Sequence, residues 1–138
     1  MTRKLPTTLA ALSMAAVLIL GACGGSTATD TQLTLTSVED VQSIVEAPPE
    51  GLVVLDIRTP EEFAAGHLAG AINIDYYAAD FEQQLGELDH DVPYVMYCNS
   101  GNRSSNALPV MDSIGFEEVY ELDGGIQAWF GAGLPIEQ

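Results

Sequence analysis

The sequence predicts an α/β fold: a parallel, doubly wound sheet of about five strands with helices on both faces. Three observations carry that expectation. Short runs rich in Val, Ile, Leu and Tyr, at residues 33–35, 52–55, 71–74, 92–97 and 119–122, alternate with stretches of helical periodicity. The runs at 52–55 and 92–97 are apolar at consecutive positions, as strands covered on both faces are. Roughly a hundred residues follow the leader, enough for one core and not for two, and they contain no internal repeat.

In chain order, residues 1–22 read as an export signal: Met1-Thr2-Arg3-Lys4 is a basic start, and Leu5 to Leu20 is apolar with small polar interruptions. The apolar stretch is short for a membrane span, which needs ~20 residues. Residues 23–31, Cys23 with a small polar run behind it, read as a flexible tether. The domain is then 32–138. Leu33-Thr34-Leu35 is a short strand, and Thr36-x-x-Glu39 suggests a capping box for a helix with Val38, Val41, Ile44 and Val45 inward. Pro48-Pro49 ends that helix. Leu52 to Leu55 is a buried strand leading into Asp56, Glu61 to Ala65 a helical turn closed by Gly66, and Ala71 to Ile74 the next strand. Phe81 to Leu88 is a short helix. A longer helix opens at Asn106 and runs to Ile114, with Gly115 behind it and Pro109 inside, where a kink or local break is expected. Val119 to Leu122 is the last strand, followed by a Gly124-Gly125 turn and a helix bearing Trp129.

The chemistry concentrates between the fourth strand and the long helix. Cys98 ends the apolar run Val92–Tyr97, and Asn99-Ser100-Gly101-Asn102-Arg103 follows it. Open α/β sheets bind ligands outside the carboxyl ends of their strands. Backbone N–H groups of such a loop converge on an anion, and the following helix N-terminus adds partial positive charge. Arg103 brings a full charge to the rim. Such settings lower a cysteine pKa to ~3.5–7.5. A buried structural cysteine is the plainer reading, but Asn-Ser-Gly-Asn-Arg makes a poor apolar wall, so a reactive thiolate is expected.

These residues resemble a known family. Cys98-x-x-Gly101-x-Arg103-Ser104 is similar to the active loop of single-domain rhodanese-like sulfurtransferases. Asp56-Ile57-Arg58-Thr59-Pro60-Glu61-Glu62-Phe63, continuing through Gly66-His67-Leu68-Ala69-Gly70-Ala71-Ile72-Asn73-Ile74, resembles the family's first signature. Gly124-Gly125-Ile126-Gln127-Ala128-Trp129, with Gly133-Leu134-Pro135, resembles its closing one. Three stretches in this order are far more specific than a lone CxxGxR. The resemblance spans about Leu33 to Ile136 and implies the same doubly wound architecture. Leu20-Gly21-Ala22-Cys23 likewise resembles a bacterial lipobox, which implies cleavage before Cys23, lipidation of its thiol and attachment to a membrane surface outside the cytoplasm.

Composition narrows the function classes. Of four Lys and Arg residues, Arg3 and Lys4 belong to the leader, leaving Arg58 and Arg103 against twenty acidic residues that all follow Cys23. Such a surface repels nucleic acid and anionic lipid heads, so membrane contact is expected through the lipid alone. With Cys23 consumed by lipid, Cys98 stands as a lone thiol in an oxidising compartment, a liability unless it is used. There is no CxxC and no Cys/His cluster with zinc spacing, so neither metal nor other cofactor is expected.

The resemblance implies covalent sulfur transfer through a persulfide on Cys98, from a small anionic donor to cyanide, a thiol or a protein cysteine. Asn99, Ser100, Gly101 and Asn102 are expected to supply backbone donors, and Arg103 to pair with the donor's charge. Thiosulfate-specialised members tend to carry more basic loops than this one, and the mercaptopyruvate-type Cys-Gly-Ser/Thr-Gly-Val-Thr loop is absent, so thiosulfate is the donor expected in vitro and the physiological donor stays open. Asp56 and Arg58 read first as a buried ion pair or loop anchor and second as support for the site. His67, Trp129, Met96 and Tyr97 read as structural, and His90 as a solvated turn residue. Two rival readings stand beside sulfur transfer. One is a tethered persulfide carrier or redox-sensing module without fast turnover. The other is a cysteine phosphatase or arsenate reductase, which needs five residues between Cys and Arg where this loop has four.

Overall fold

Five parallel strands run through the domain in the order β1-β5-β4-β2-β3. The computed structural model describes residues 31–138; the leader, Cys23 and the tether up to Asp30 lie outside the described residues. The elements are β1 (Gln32–Thr36), α1 (Val38–Glu46), β2 (Val53–Asp56), α2 (Pro60–Ala65), β3 (Ile72–Asn73), α3 (Phe81–Gly86), β4 (Tyr94–Tyr97), α4 (Asn102–Ile114), β5 (Glu118–Leu122) and α5 (Gly125–Gly131). The expected α/β, doubly wound parallel sheet is the fold observed.

Strand alternation divides the core in two. Leu55, Tyr94, Met96 and Val119 point to one face, where Phe81 and Leu85 of α3 and Ala107 and Met111 of α4 cover them. Val54, Val95, Tyr97 and Leu122 point to the other, under Val41 of α1 and Ile126 and Trp129 of α5. All four residues of β4 are buried, which is why its sequence shows no polar alternation. After β2 the chain moves outward to β3, whereas after β4 it moves the opposite way to β5. The carboxyl ends of β2 and β4 therefore flank the point where the winding reverses, the place where such sheets hold ligands.

Several local expectations shift. The cap of α1 is Ser37, whose hydroxyl accepts from the Asp40 N–H at 3.2 Å; Thr36 belongs to β1, in register with Leu122. The reciprocal box appears on α2, where Thr59 accepts from the Glu62 N–H and the Glu62 carboxylate accepts from the Thr59 N–H at 3.0 Å. Helix α4 starts four residues earlier than its apolar pattern suggests, because Gly101 at φ 101° turns the chain straight from the loop into the helix. Pro109 does not break α4. It lies on the exposed side, where water can satisfy the carbonyl it leaves unpaired, while Ala107 and Met111 anchor the helix on either side of it. His90 is not a free surface residue either: its ring stacks on buried Phe116 at 4.3 Å and its Nε2 lies 3.1 Å from the Leu85 carbonyl.

Candidate active site

Cys98 follows the last residue of β4 and is 1% exposed. Its Sγ accepts a hydrogen bond from the Gly101 N–H at 3.1 Å and lies 3.4 Å from the Ser104 hydroxyl. Burial pushes the thiol pKa up, but the Ser104 hydroxyl and the N–H groups of Ser104, Gly101 and Ser100 outweigh it. The balance falls below the ordinary thiol value. The hydrogen-bond donors around the sulfur thus shift the balance towards the thiolate.

The N-terminus of α5 explains why the loop's N–H groups face the sulfur. The Ile126 N–H donates to the Cys98 carbonyl at 2.9 Å and the Gln127 N–H to the Asn99 carbonyl at 3.1 Å. Carbonyl and N–H lie on opposite sides of a planar trans peptide. Holding the Asn99 carbonyl against α5 therefore turns the Ser100 N–H away from that helix, towards the sulfur. Such close approach requires Gly125 (φ 60°), where a Cβ would stand 2.5 Å from the Cys98 carbonyl oxygen and 2.7 Å from the Asn99 carbonyl carbon. The Gly124-Gly125 turn is thus part of the site's frame.

Beneath the loop lies a residue that the sequence did not single out. Glu121 of β5 is buried; one of its oxygens accepts from the Ser105 hydroxyl at 2.8 Å and lies 2.7 Å from the Ser104 hydroxyl, for whose single proton it competes with the Gly101 carbonyl at 3.0 Å and the Cys98 sulfur. Ser104 therefore joins the thiol on one side to a buried carboxylate on the other. An acidic residue amid the apolar Val119–Leu122 run was the available signal.

The other expected site residues divide by role. The side chains of Ser100 and Asn102 are exposed and Asn99 is half-buried; Ser100 and Gly101 act on the sulfur through backbone groups. Arg103 stands in the first turn of α4, five residues after Cys98. Its two terminal nitrogens bind Glu62 of α2 at 2.7 and 2.8 Å, and its guanidinium lies over the Tyr77 ring, 5.6 Å from the centroid. This bidentate bond to Arg103 holds the Glu62 carboxyl at about 2, well below the usual carboxylate range. Asp56 and Arg58 form a buried ion pair at 2.6 Å, with Arg58 also donating to the Gly66 carbonyl. They fix the β2–α2 connection and do not contact Cys98. Trp129 donates to the Pro135 carbonyl, and the Tyr97 hydroxyl accepts from the Leu68 N–H; both are packing residues. Hollows of about 530 and 590 Å³ open elsewhere, and no residue of the Cys98 loop lines them.

This geometry has parallels in known proteins. Residues 37–132 match the family described as the Rhodanese-like domain. Thiosulfate sulfurtransferase GlpE of Pseudomonas putida is 43% identical over 81 residues, 58% of this chain and 71% of that protein. A rhodanese-related protein from Thermoplasma volcanium superposes with a TM-score of 0.66 at 28% identity, covering 76% of this chain and 98% of that one. The thiosulfate sulfurtransferase of Pseudomonas aeruginosa gives 0.65 at 27% identity, covering 79% of this chain and 20% of that one. With its doubly wound sheet, its cysteine loop at the reversal point and a profile match over most of its length, this chain belongs to the Rhodanese-like domain family.

Proposed function

We propose that the protein moves sulfane sulfur from a donor to a thiophilic acceptor through a persulfide on Cys98. The chain is a rhodanese-type sulfurtransferase; the covalent intermediate and the roles of individual residues are our reading. One observation carries it: the Cys98 sulfur is ringed by backbone N–H groups and one hydroxyl that together overcome its burial. The thiolate attacks the outer sulfur of the donor, the Sγ–S bond forms, and the donor's S–S bond breaks with its electron pair leaving on the departing group. With thiosulfate that group is sulfite. Cyanide, a thiol or a protein cysteine then attacks the outer sulfur, and Cys98 departs as a thiolate into the same ring of donors. Preorganised N–H groups serve both half-reactions because negative charge appears at the same atom in each.

Steady-state kinetics with varied donor and cyanide test this. Parallel double-reciprocal lines, and loss of turnover in Cys98→Ser, are expected. Turnover that survives in Cys98→Ser overturns the reading, and a single sulfur load without multiple turnover replaces it with a carrier. The same reading places the protein outside the cytoplasm on a lipid at Cys23, supported by Leu20-Gly21-Ala22-Cys23 behind a basic and apolar leader. Incorporation of labelled palmitate in a bacterial host, lost in Cys23→Ala, is the expected result.

A further inference from the structure

Arg58 and Arg103 are the two Lys or Arg side chains among the described residues, and both are engaged. Arg58 is spent on Asp56 and the Gly66 carbonyl inside the β2–α2 connection. Arg103, in the first turn of the helix that follows the Cys98 loop, gives both terminal nitrogens to the two oxygens of Glu62. Glu62 is itself fixed: it lies in the first turn of α2, and one oxygen also accepts from the Thr59 N–H. A bidentate pair whose carboxylate is already positioned by a helix cap gives up its cation reluctantly. Beyond it, acidic residues greatly outnumber cations, a field that opposes the approach of an anion.

Resting on the sulfur-transfer reading, we propose that Glu62 is a specificity-determining residue: by occupying the fork of Arg103 it withholds the site's cation from divalent oxyanion donors and favours hydropersulfides on carriers without net negative charge. A hydropersulfide R–S–SH, more acidic than a thiol, brings at most one negative charge on its outer sulfur against the two of thiosulfate, and it reacts in its protonated form. The Cys98 thiolate bonds to that sulfur, the donor's S–S bond breaks, and RS⁻ leaves while the transferred sulfur keeps its proton. No oxyanion has to be held. Thiosulfate, in contrast, brings two negative charges to a mouth whose cation is already neutralised.

The test compares thiosulfate with cysteamine persulfide at fixed ionic strength, in the full chain and in Glu62→Gln, Arg103→Gln and the double variant. Gln at 62 keeps an oxygen for the Thr59 N–H, so the cap of α2 survives. The wild type should prefer cysteamine persulfide by kcat/KM. Glu62→Gln should raise the thiosulfate-to-persulfide ratio roughly tenfold or more, chiefly through KM for thiosulfate. The double variant should lose that gain, since it needs the freed Arg103. A persulfidated lysine-rich peptide distinguishes the carrier: its order against cysteamine persulfide says whether the group arrives on a protein or a small thiol, and either order above thiosulfate supports the proposal. A wild type that prefers thiosulfate, or an unchanged ratio in Glu62→Gln, overturns it while leaving sulfur transfer intact. Failure of all donors to load Cys98 overturns the parent reading instead.

Discussion

Replacing Gly125 by Ala tests whether α5 builds the active loop. The new Cβ would meet the Cys98 carbonyl oxygen at 2.5 Å and the Asn99 carbonyl carbon and oxygen at 2.7 Å. All three are backbone atoms, so no side chain can swing aside. Residue 125 also has φ 60°, a left-handed conformation that costs an L-residue roughly 1–2 kcal/mol. Relieving the contact means withdrawing α5, which breaks the Ile126 and Gln127 bonds to the loop carbonyls at 2.9 and 3.1 Å. Each is worth about 0.5–1.5 kcal/mol net. The combined loss, about 2–5 kcal/mol, is a large share of a domain's usual ~5–15 kcal/mol. The peptide planes of Cys98 and Asn99 would then be free to turn, taking the N–H groups off the sulfur. Urea unfolding and iodoacetamide alkylation at neutral pH, read from the mass of the Cys98 peptide, measure the two consequences. A lowered midpoint and alkylation slowed by roughly a hundredfold (~2.7 kcal/mol) are expected. Gly131→Ala, where a Cβ meets nothing within 4 Å, is the control and should leave both unchanged or slightly raise the midpoint. Wild-type alkylation and midpoint in Gly125→Ala would refute the claim that α5 aims the loop.

Other outcomes follow from the same geometry. Ser104→Ala removes a hydroxyl whose one proton the sulfur at 3.4 Å shares with Glu121 and the Gly101 carbonyl, so the pH midpoint of Cys98 alkylation should rise and the rate at neutral pH fall by less than about tenfold. Asp56→Asn strands the buried Arg58 guanidinium and should cost about 3–5 kcal/mol in urea unfolding, since one partner of a buried pair loses its compensation. Glu62 titrates at about 2 in the fold against an ordinary 4.5. Its depressed value means its contribution is whole above the ordinary pKa and declines as pH falls towards the folded one. Acid unfolding monitored by circular dichroism should therefore lose stability less steeply over that window in Glu62→Gln than in the wild type.

What was legible in the sequence was whatever the chain says locally. Continuous apolar runs mark β2 and β4 because both faces of those strands are covered, and Cys98 stands out because a polar loop follows a buried strand. Gly115 closes α4 in the left-handed region, as its place after Ile114 suggests. What stayed hidden depends on pairs far apart in the chain. Glu62 and Arg103 are separated by 41 residues, and nothing in Pro60-Glu61-Glu62-Phe63 says which glutamate meets an arginine across the sheet's reversal point. Glu121 looks like an outward residue of a strand until α4 brings Ser104 and Ser105 over it. Gly125 reads as a turn glycine; only its contact with the Cys98 carbonyl reveals its part in the site. The cap moved from Thr36 to Ser37 for a similar reason, because pairing with β5 claims Thr36 first. Pro109 does not break α4: buried anchors on both sides hold the helix continuous despite the lost bond.

The most direct measurement of the central claim is the intact mass of the full chain, without reductant, before and after a sulfane donor and again after cyanide. A gain of one sulfur atom, mapped to Cys98, removed by cyanide as thiocyanate and absent in Cys98→Ser, is the expected result. An unchanged mass with thiosulfate and hydropersulfide alike, in a protein whose Cys98 still alkylates rapidly, would contradict it.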